Sequence, residues 1–138
     1  MTGGDGQVGR ALRSLLPSAR YAARDELDVT DRARTNDAID GVDVVVHLAA
    51  MTDVDRSERE PHLAEQVNGA GSRNVAEAAG AAGARVIGVS SDYVFDGTAP
   101  GEYTETDKPR PLSVYGRTKL AGEQALLEAG DNTVIRTS

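Results

Sequence analysis

Two short runs constrain the fold of this chain more than anything else in it. "VDVVVHLAA" (42–50) and "ARVIGVSS" (84–91) are continuously apolar rather than alternating. A strand of that kind is covered on both faces, the situation of a parallel sheet with helices above and below. The intervening segments agree. Gln7 to Leu16 carries Val8, Leu12, Leu15 and Leu16 at helical spacing and is closed by Pro17. A weak extended segment follows at Arg20 to Ala23, and Thr30 stands as an N-cap before a helix over Asp31 to Asp40 ended by Gly41. Glu60 to Gly80 reads as one long crossover helix, with Leu63, Val67, Ala70, Val75 and Ala79 near one stripe. Ser113 to Ala129 is a further helix, and "NTVIRTS" a closing strand. Such alternation predicts an α/β fold, a single domain over 1–138 without an internal boundary. The turn-rich stretch Asp92 to Pro111 is long for a compact domain, which marks it as functional or disordered.

The chain opens "MTGGDGQVGR", in which Gly3, Gly6 and Gly9 follow Thr2 in the spacing T-G-x-x-G-x-x-G. Glycines so spaced give a tight turn out of a strand, backbone N–H groups that a pyrophosphate can approach, and close packing of the next helix. The phosphate would meet the positive end of that helix. The fold expected is a Rossmann-like doubly wound parallel sheet, with a dinucleotide such as NADPH or NADH as cofactor. At the adenosine end an acid selects a free ribose hydroxyl and a base tolerates a 2′-phosphate. No acid stands at the tip of the second strand; Arg24 leans toward NADP(H), a solvated surface arginine being the plain alternative. Asp28 and Val29 would flank the adenine, or serve as ordinary loop and cap residues.

Composition narrows the partners. The 138 residues carry a formal charge of −7 with no cysteine or tryptophan. An acidic average surface repels nucleic acid and anionic membranes, so small soluble ligands are expected instead. Without cysteine there is no disulfide framework, which fits a reducing compartment. No apolar run approaches the roughly 20 residues of a membrane span, and the cytoplasm is the expected location.

Tyr115 and Lys119 in "YGRTK" lie four apart and share a helix face. A phenol is a poor acid or base near its ordinary pKa, and a neighbouring ammonium is expected to lower it by favouring the phenolate. Ser90-Ser91 ends the second buried strand, at the carboxyl edge of the sheet where open α/β folds bind ligands. Ser91 and Tyr115 would then hydrogen-bond one carbonyl oxygen and polarise it for hydride attack. Other polar residues have plainer readings. His47, inside a valine run, is expected to be a packed strand histidine; His62 is not at metal-ligand spacing from it. Asp53, Asp55, Glu58 and Glu60 read as a solvated helix start rather than a cation site, and Phe95 and Tyr103 as packing for the long loop.

The glycine turn, "HLAA", Asn68, "SSDYVFDG", "YGRTK" and "RTS" together resemble an extended short-chain dehydrogenase/reductase. The run "SSDYVFDGTAPGEYTETDKPRPLSVYGRTKLAGEQAL" is similar to the dTDP-4-dehydrorhamnose reductase family, and "DVTD", "HLAAMTDVDRSE" and "VNGAGSRNVAEAA" extend the resemblance over nearly the whole chain. It implies Ser91, Tyr115 and Lys119 as the catalytic group, and Asp92 and Tyr93 at the substrate end. It assigns Gly3, Gly6, Gln7, Val8 and Gly9 to the pyrophosphate turn. Ala49, Ala50 and Thr52 would line the cofactor, as would Tyr115 and Lys119, with Lys119 holding the nicotinamide ribose. The implied reaction is NAD(P)H-dependent reduction of the 4-keto group of dTDP-4-dehydro-L-rhamnose, with a nucleotide sugar as partner and room for a homodimer when full length. The alternatives are an epimerase or dehydratase of the same superfamily, which returns its hydride to the product, and a non-catalytic NADP-binding regulatory subunit. The presence of the serine, tyrosine and lysine weighs against the regulatory subunit. Relative to the family the expectation is a sheet truncated at both ends, with the first strand reduced to Met1 and Thr2 and a substrate domain absent. Loss of a central strand outweighs the roughly 5–15 kcal/mol by which domains are stable, so the isolated chain is expected to fold poorly and turn over no substrate.

Overall fold

A computed structural model describes residues 1–138. Three parallel strands, β1 (Val44–His47), β2 (Arg85–Ser91) and β3 (Thr133–Thr137), lie in the order β1-β2-β3. Val44 stands opposite Arg85, and Ile87 opposite Thr133. Beyond β1 the sheet continues through single residues: Thr2 bridges His47 on one side and Ala22 on the other, both in parallel sense. The chain thus moves along the sheet in one direction from Thr2 to Ala22, then back across β1, β2 and β3. Right-handed crossovers in opposite directions put their helices on opposite faces. Helix α1 (Gln7–Leu12) takes one face; α2 (Arg32–Ile39), α5 (Gly71–Ala82) and α6 (Val114–Glu128) pack side by side on the other. The doubly wound α/β class is the one expected.

The core lies between the sheet and the second helical layer, where Val45 and Val86 meet Val75, Ala79 and Leu126. Small side chains on α5 allow close contact. Gly122 of α6 faces the carbonyl of Asn68, which an added Cβ would overlap. Gly80 meets nothing nearer than the Ala129 carbonyl at 3.9 Å.

Several element boundaries differ from the sequence expectation, each for a local reason. Helix α1 stops at Leu12 rather than Leu16, because Gly9 is its only buried residue and no packed stripe extends it. The segment around Arg20 to Ala23 is reduced to the single bridge at Ala22. The N-cap of α2 is Asp31, not Thr30: the Asp31 carboxylate accepts from Arg34 N at 3.1 Å, while the Thr30 hydroxyl donates to Asp28 at 2.8 Å. The expected long helix is divided into α4 (Pro61–Ala64), a π-helical turn (Glu65–Ala70) and α5, which ends at Gly83 with φ +70°. An additional helix, α3 (Val54–Arg59), occupies the acidic stretch. Asp53 caps it by accepting from Arg56 N at 2.8 Å. Only Ser57 of α3 is buried, so no apolar period announces it. A 3-10 turn, Asp92–Val94, follows β2.

Gly122→Ala should destabilise the chain by about 1–3 kcal/mol through overpacking, whereas Gly80→Ala should stabilise it by about 0.5–1 kcal/mol. Urea denaturation of the two variants checks the opposite signs.

Candidate active site

Four segments converge at the carboxyl ends of the strands: the turn after Thr2, residues 48–52 after β1, Ser90 and Ser91 at the end of β2, and the first turns of α6. They enclose an open cavity of about 700 Å³. The glycine turn forms part of its wall. Gly3 adopts φ +65°, and a Cβ there would lie 2.7 Å from Ala49 N. A Cβ on Gly9 would lie 2.6 Å from the Gly4 carbonyl, so helix and turn touch backbone to backbone. Thr2 Oγ1 accepts from Leu48 N at 3.2 Å and Ala49 N at 3.1 Å, tying the turn to the segment after β1.

Gly3, Gly6, Gln7, Val8 and Gly9 all line this cavity. So do Ala49, Ala50 and Thr52 on the neighbouring segment, and Arg24, Asp28 and Val29. Ser91, Tyr115 and Lys119 line the same space. Asp92 and Tyr93 do not. Asp92 instead accepts from the Ser91 hydroxyl at 3.1 Å, and half-exposed Tyr93 meets the Tyr115 ring edge-on at 5.6 Å. Met51 and Arg56, to which the sequence reading gives no role, also line the cavity, as do Leu63 and Val67, read there only as part of a helical stripe. Arg56 does so from α3, the helix without an apolar signature.

The titration of Tyr115 and Lys119 departs from the simple pairing expected. Lys119 Nζ donates to the Val89 carbonyl at 2.7 Å. Burial lowers its pKa to about 8, opposed by the Glu123 carboxylate. Tyr115 is shifted up, not down: burial of the phenol dominates and the Asp92 carboxylate adds to it, with the Ser91 hydroxyl opposing. The ammonium is directed at a backbone carbonyl, so desolvation sets the sign. Asp28 is held below the usual carboxylate range by the Thr30 backbone N–H and hydroxyl. Ser90 Oγ is buried on the cavity wall without a hydrogen-bond partner.

His47 is a packed strand residue. Its Nδ1 meets Thr2 Oγ1 at 2.8 Å and its Nε2 meets Ser72 Oγ at 3.0 Å. Asn68, on the π-helical turn, pairs with both backbone groups of Met51, accepting from N at 2.8 Å and donating to O at 3.1 Å. Its remaining N–H donates to Thr118 Oγ1 at 3.0 Å, joining the cavity wall to α6. Phe95 and Tyr103 stack at 4.1 Å within the long loop.

The family model described as the RmlD substrate binding domain matches residues 1–138, the whole chain. The chain belongs to that family. Among curated relatives, the dTDP-4-dehydrorhamnose reductase of Sinorhizobium fredii is 42% identical over 144 residues, covering 100% of this chain and 49% of the relative. The enzyme of the same name from Mycobacterium tuberculosis is 42% identical over 150 residues, covering 100% of this chain and 48% of its own. A solved dTDP-4-dehydrorhamnose reductase from Bacillus anthracis, in complex with NADP, superposes with TM-score 0.95 at 36% identity, covering 99% of this chain and 52% of that one. This RmlD-family chain thus spans about half the length of the curated relatives it matches. No helix in it is long and apolar enough to cross a membrane.

Burial lowers the His47 pKa from 6.5 to about 3, helped by the Lys119 ammonium. As pH falls through 6.5 the unfolded chain takes up this proton first, so stability should be lost progressively toward pH 3. His47→Gln should flatten that part of the profile, measured by urea denaturation across the range; an unchanged slope would contradict the assignment.

Proposed function

We propose that this chain supplies the cofactor cavity and the proton donor of an NAD(P)H-dependent reductase that converts the 4-keto group of dTDP-4-dehydro-L-rhamnose to the alcohol of dTDP-L-rhamnose. One observation carries the proposal: the glycine turn and Ser91, Tyr115 and Lys119 line a single cavity. Relatives with 42% identity named for this reaction support it. A Streptomyces niveus relative at 37% identity, named dTDP-4-keto-6-deoxy-D-glucose reductase, supports the same substrate class, a dTDP-linked 4-keto sugar.

The residues present fit a dinucleotide. Side chains at Gly3 or Gly9 would collide with neighbouring backbone, so the turn keeps a bare peptide surface suited to a pyrophosphate. Gly6, Gln7 and Val8 complete that surface. Arg24 would meet a 2′-phosphate, Asp28 and Val29 the adenine, and Ala49, Ala50 and Thr52 the middle of the cofactor. Lys119 would hold the nicotinamide ribose. When bound, the cofactor supplies the hydride. Tyr115 supplies the proton: burial keeps the phenol protonated, as an acid in the reductive direction must be. Ser91, at the end of β2, would turn its one hydroxyl proton from Asp92 to the carbonyl oxygen as negative charge develops there. Asp92 and Tyr93 border the sugar nucleotide. In this reading the protein is cytoplasmic, binds a nucleotide sugar rather than nucleic acid, and forms a homodimer.

The product of the natural gene should oxidise NADPH when given dTDP-4-dehydro-L-rhamnose. Tightly held NAD with no net cofactor oxidation would instead mark an epimerase or dehydratase. Tyr115→Phe should lower kcat about 100-fold or more. Arg24→Ala should raise KM for NADPH more than for NADH in the same assay.

A further inference from the structure

The acidic stretch around α3 has no part in the reading above, and three of its four carboxylates can be assigned individually. Asp53 caps α3, and Glu60 pairs with Arg56 at 3.0 Å. Glu58 reaches outside its own helix: its Oε1 accepts from Val114 N at 2.7 Å, across 56 residues of sequence. Val114 is the first residue of α6, so its N–H is among the donors that a helix cannot satisfy internally. Ser113, the local cap, is already engaged with Gly116 N at 3.0 Å. Helices α3 and α6 pack directly against each other.

We propose that Glu58 is a positioning residue for Tyr115, holding the first turn of α6 so that the phenol stays at a fixed place relative to Ser91. The inference rests on Tyr115 as the proton donor. Tyr115 immediately follows Val114, so movement of that peptide moves the phenol directly. A carboxylate accepting from a helix-terminal N–H makes a charge-assisted bond at the positive end of the helix. The same turn is confined from the loop that follows β2: the Tyr93 carbonyl packs so closely on Gly116 that a Cβ there would overlap it. Tyr93 N in turn donates to Ser91 Oγ at 3.2 Å. The two hydroxyl groups of the site thus sit on backbone segments locked to one another, and Glu58 holds the α6 side of the lock.

The test uses the product of the natural gene. Glu58→Ala should lower kcat about 10-fold, because a small misplacement of a reacting group is costly, with KM for NADPH unchanged. Glu58→Gln retains an acceptor oxygen at the same position and should recover most of the lost kcat. Amide exchange at Val114 should quicken in Glu58→Ala and stay near wild type in Glu58→Gln. Full kcat in Glu58→Ala would overturn the proposal, as would a Glu58→Gln variant as slow as Glu58→Ala, or equal loss of NADPH binding and turnover. An inactive wild type overturns the functional reading together with this one; an active wild type matched by Glu58→Ala overturns this one alone.

Discussion

The hydroxyl of Thr2 is the point on which the site depends. Its oxygen accepts two backbone N–H bonds, from Leu48 and Ala49, so its own proton is left for His47 Nδ1. That makes Nδ1 the acceptor and leaves the ring proton on Nε2, directed at Ser72 Oγ. Ser72 then donates to the Asn68 carbonyl at 2.6 Å. Every member of this buried chain gives one proton onward, which defines the tautomer and leaves no donor unmatched. Mechanically, it links the glycine turn, the end of β1 and the π-helical turn into one body. Burial of the ring in this arrangement, helped by the Lys119 ammonium, is what depresses the His47 pKa.

Burial in the cavity acts on two groups with opposite signs and one chemical result. It raises Tyr115 and lowers Lys119, disfavouring charge on each. In the proposed reduction the protonated phenol, and the Ser91 hydroxyl once turned from Asp92, would donate to the oxygen on which negative charge develops. An ammonium placed to ionise the phenol would serve the reverse direction better. In this geometry Lys119 is occupied by the Val89 carbonyl, and the proton stays on the tyrosine.

What was legible in the sequence is what depends on residue type within a short window. The valine runs encode the parallel strands, although full cover on both faces was not found: Val45 and Val86 are buried, whereas Val44 and Ile135 stand about half-exposed. The glycine spacing encodes a turn in which a Cβ has no room, as Gly3 and Gly9 bear out. The cavity-lining role of Arg56 and the reach of Glu58 were not legible, because α3 buries only Ser57 and its docking depends on α6 far along the chain. The π-helical turn was hidden for a related reason. Its apolar residues keep near-helical spacing, and the insertion shows only in where Asn68 points, toward Met51 and Thr118. Asp31 displaced Thr30 as cap because Asp28 had already engaged the threonine, a competition that one-residue cap rules do not weigh.

The turn-rich stretch after β2 is ordered by its own contacts and is not independent of α6. The Asp96 carboxylate accepts from Thr98 N, Thr98 Oγ1 and the Tyr103 hydroxyl, and faces Arg110 at 3.6 Å. The stacked Phe95 and Tyr103 rings pass this order on to Arg136, whose guanidinium lies 5.0 Å from the Phe95 ring. Arg136 also donates from Nε and Nη2, one edge of its guanidinium, to the carboxylate of buried Glu123 of α6, the shortest contact being 2.7 Å. Glu123 is two turns beyond Tyr115 on the same helix. Helix α6 is therefore gripped at its first turn by Glu58 and the Tyr93 carbonyl, and further along by Arg136 through the loop's aromatic stack. Because Ser91 and Asp92 lead into that same loop, the geometry between serine and tyrosine is set by contacts at two separated points along α6, and a helix held at two points resists tilt as well as translation.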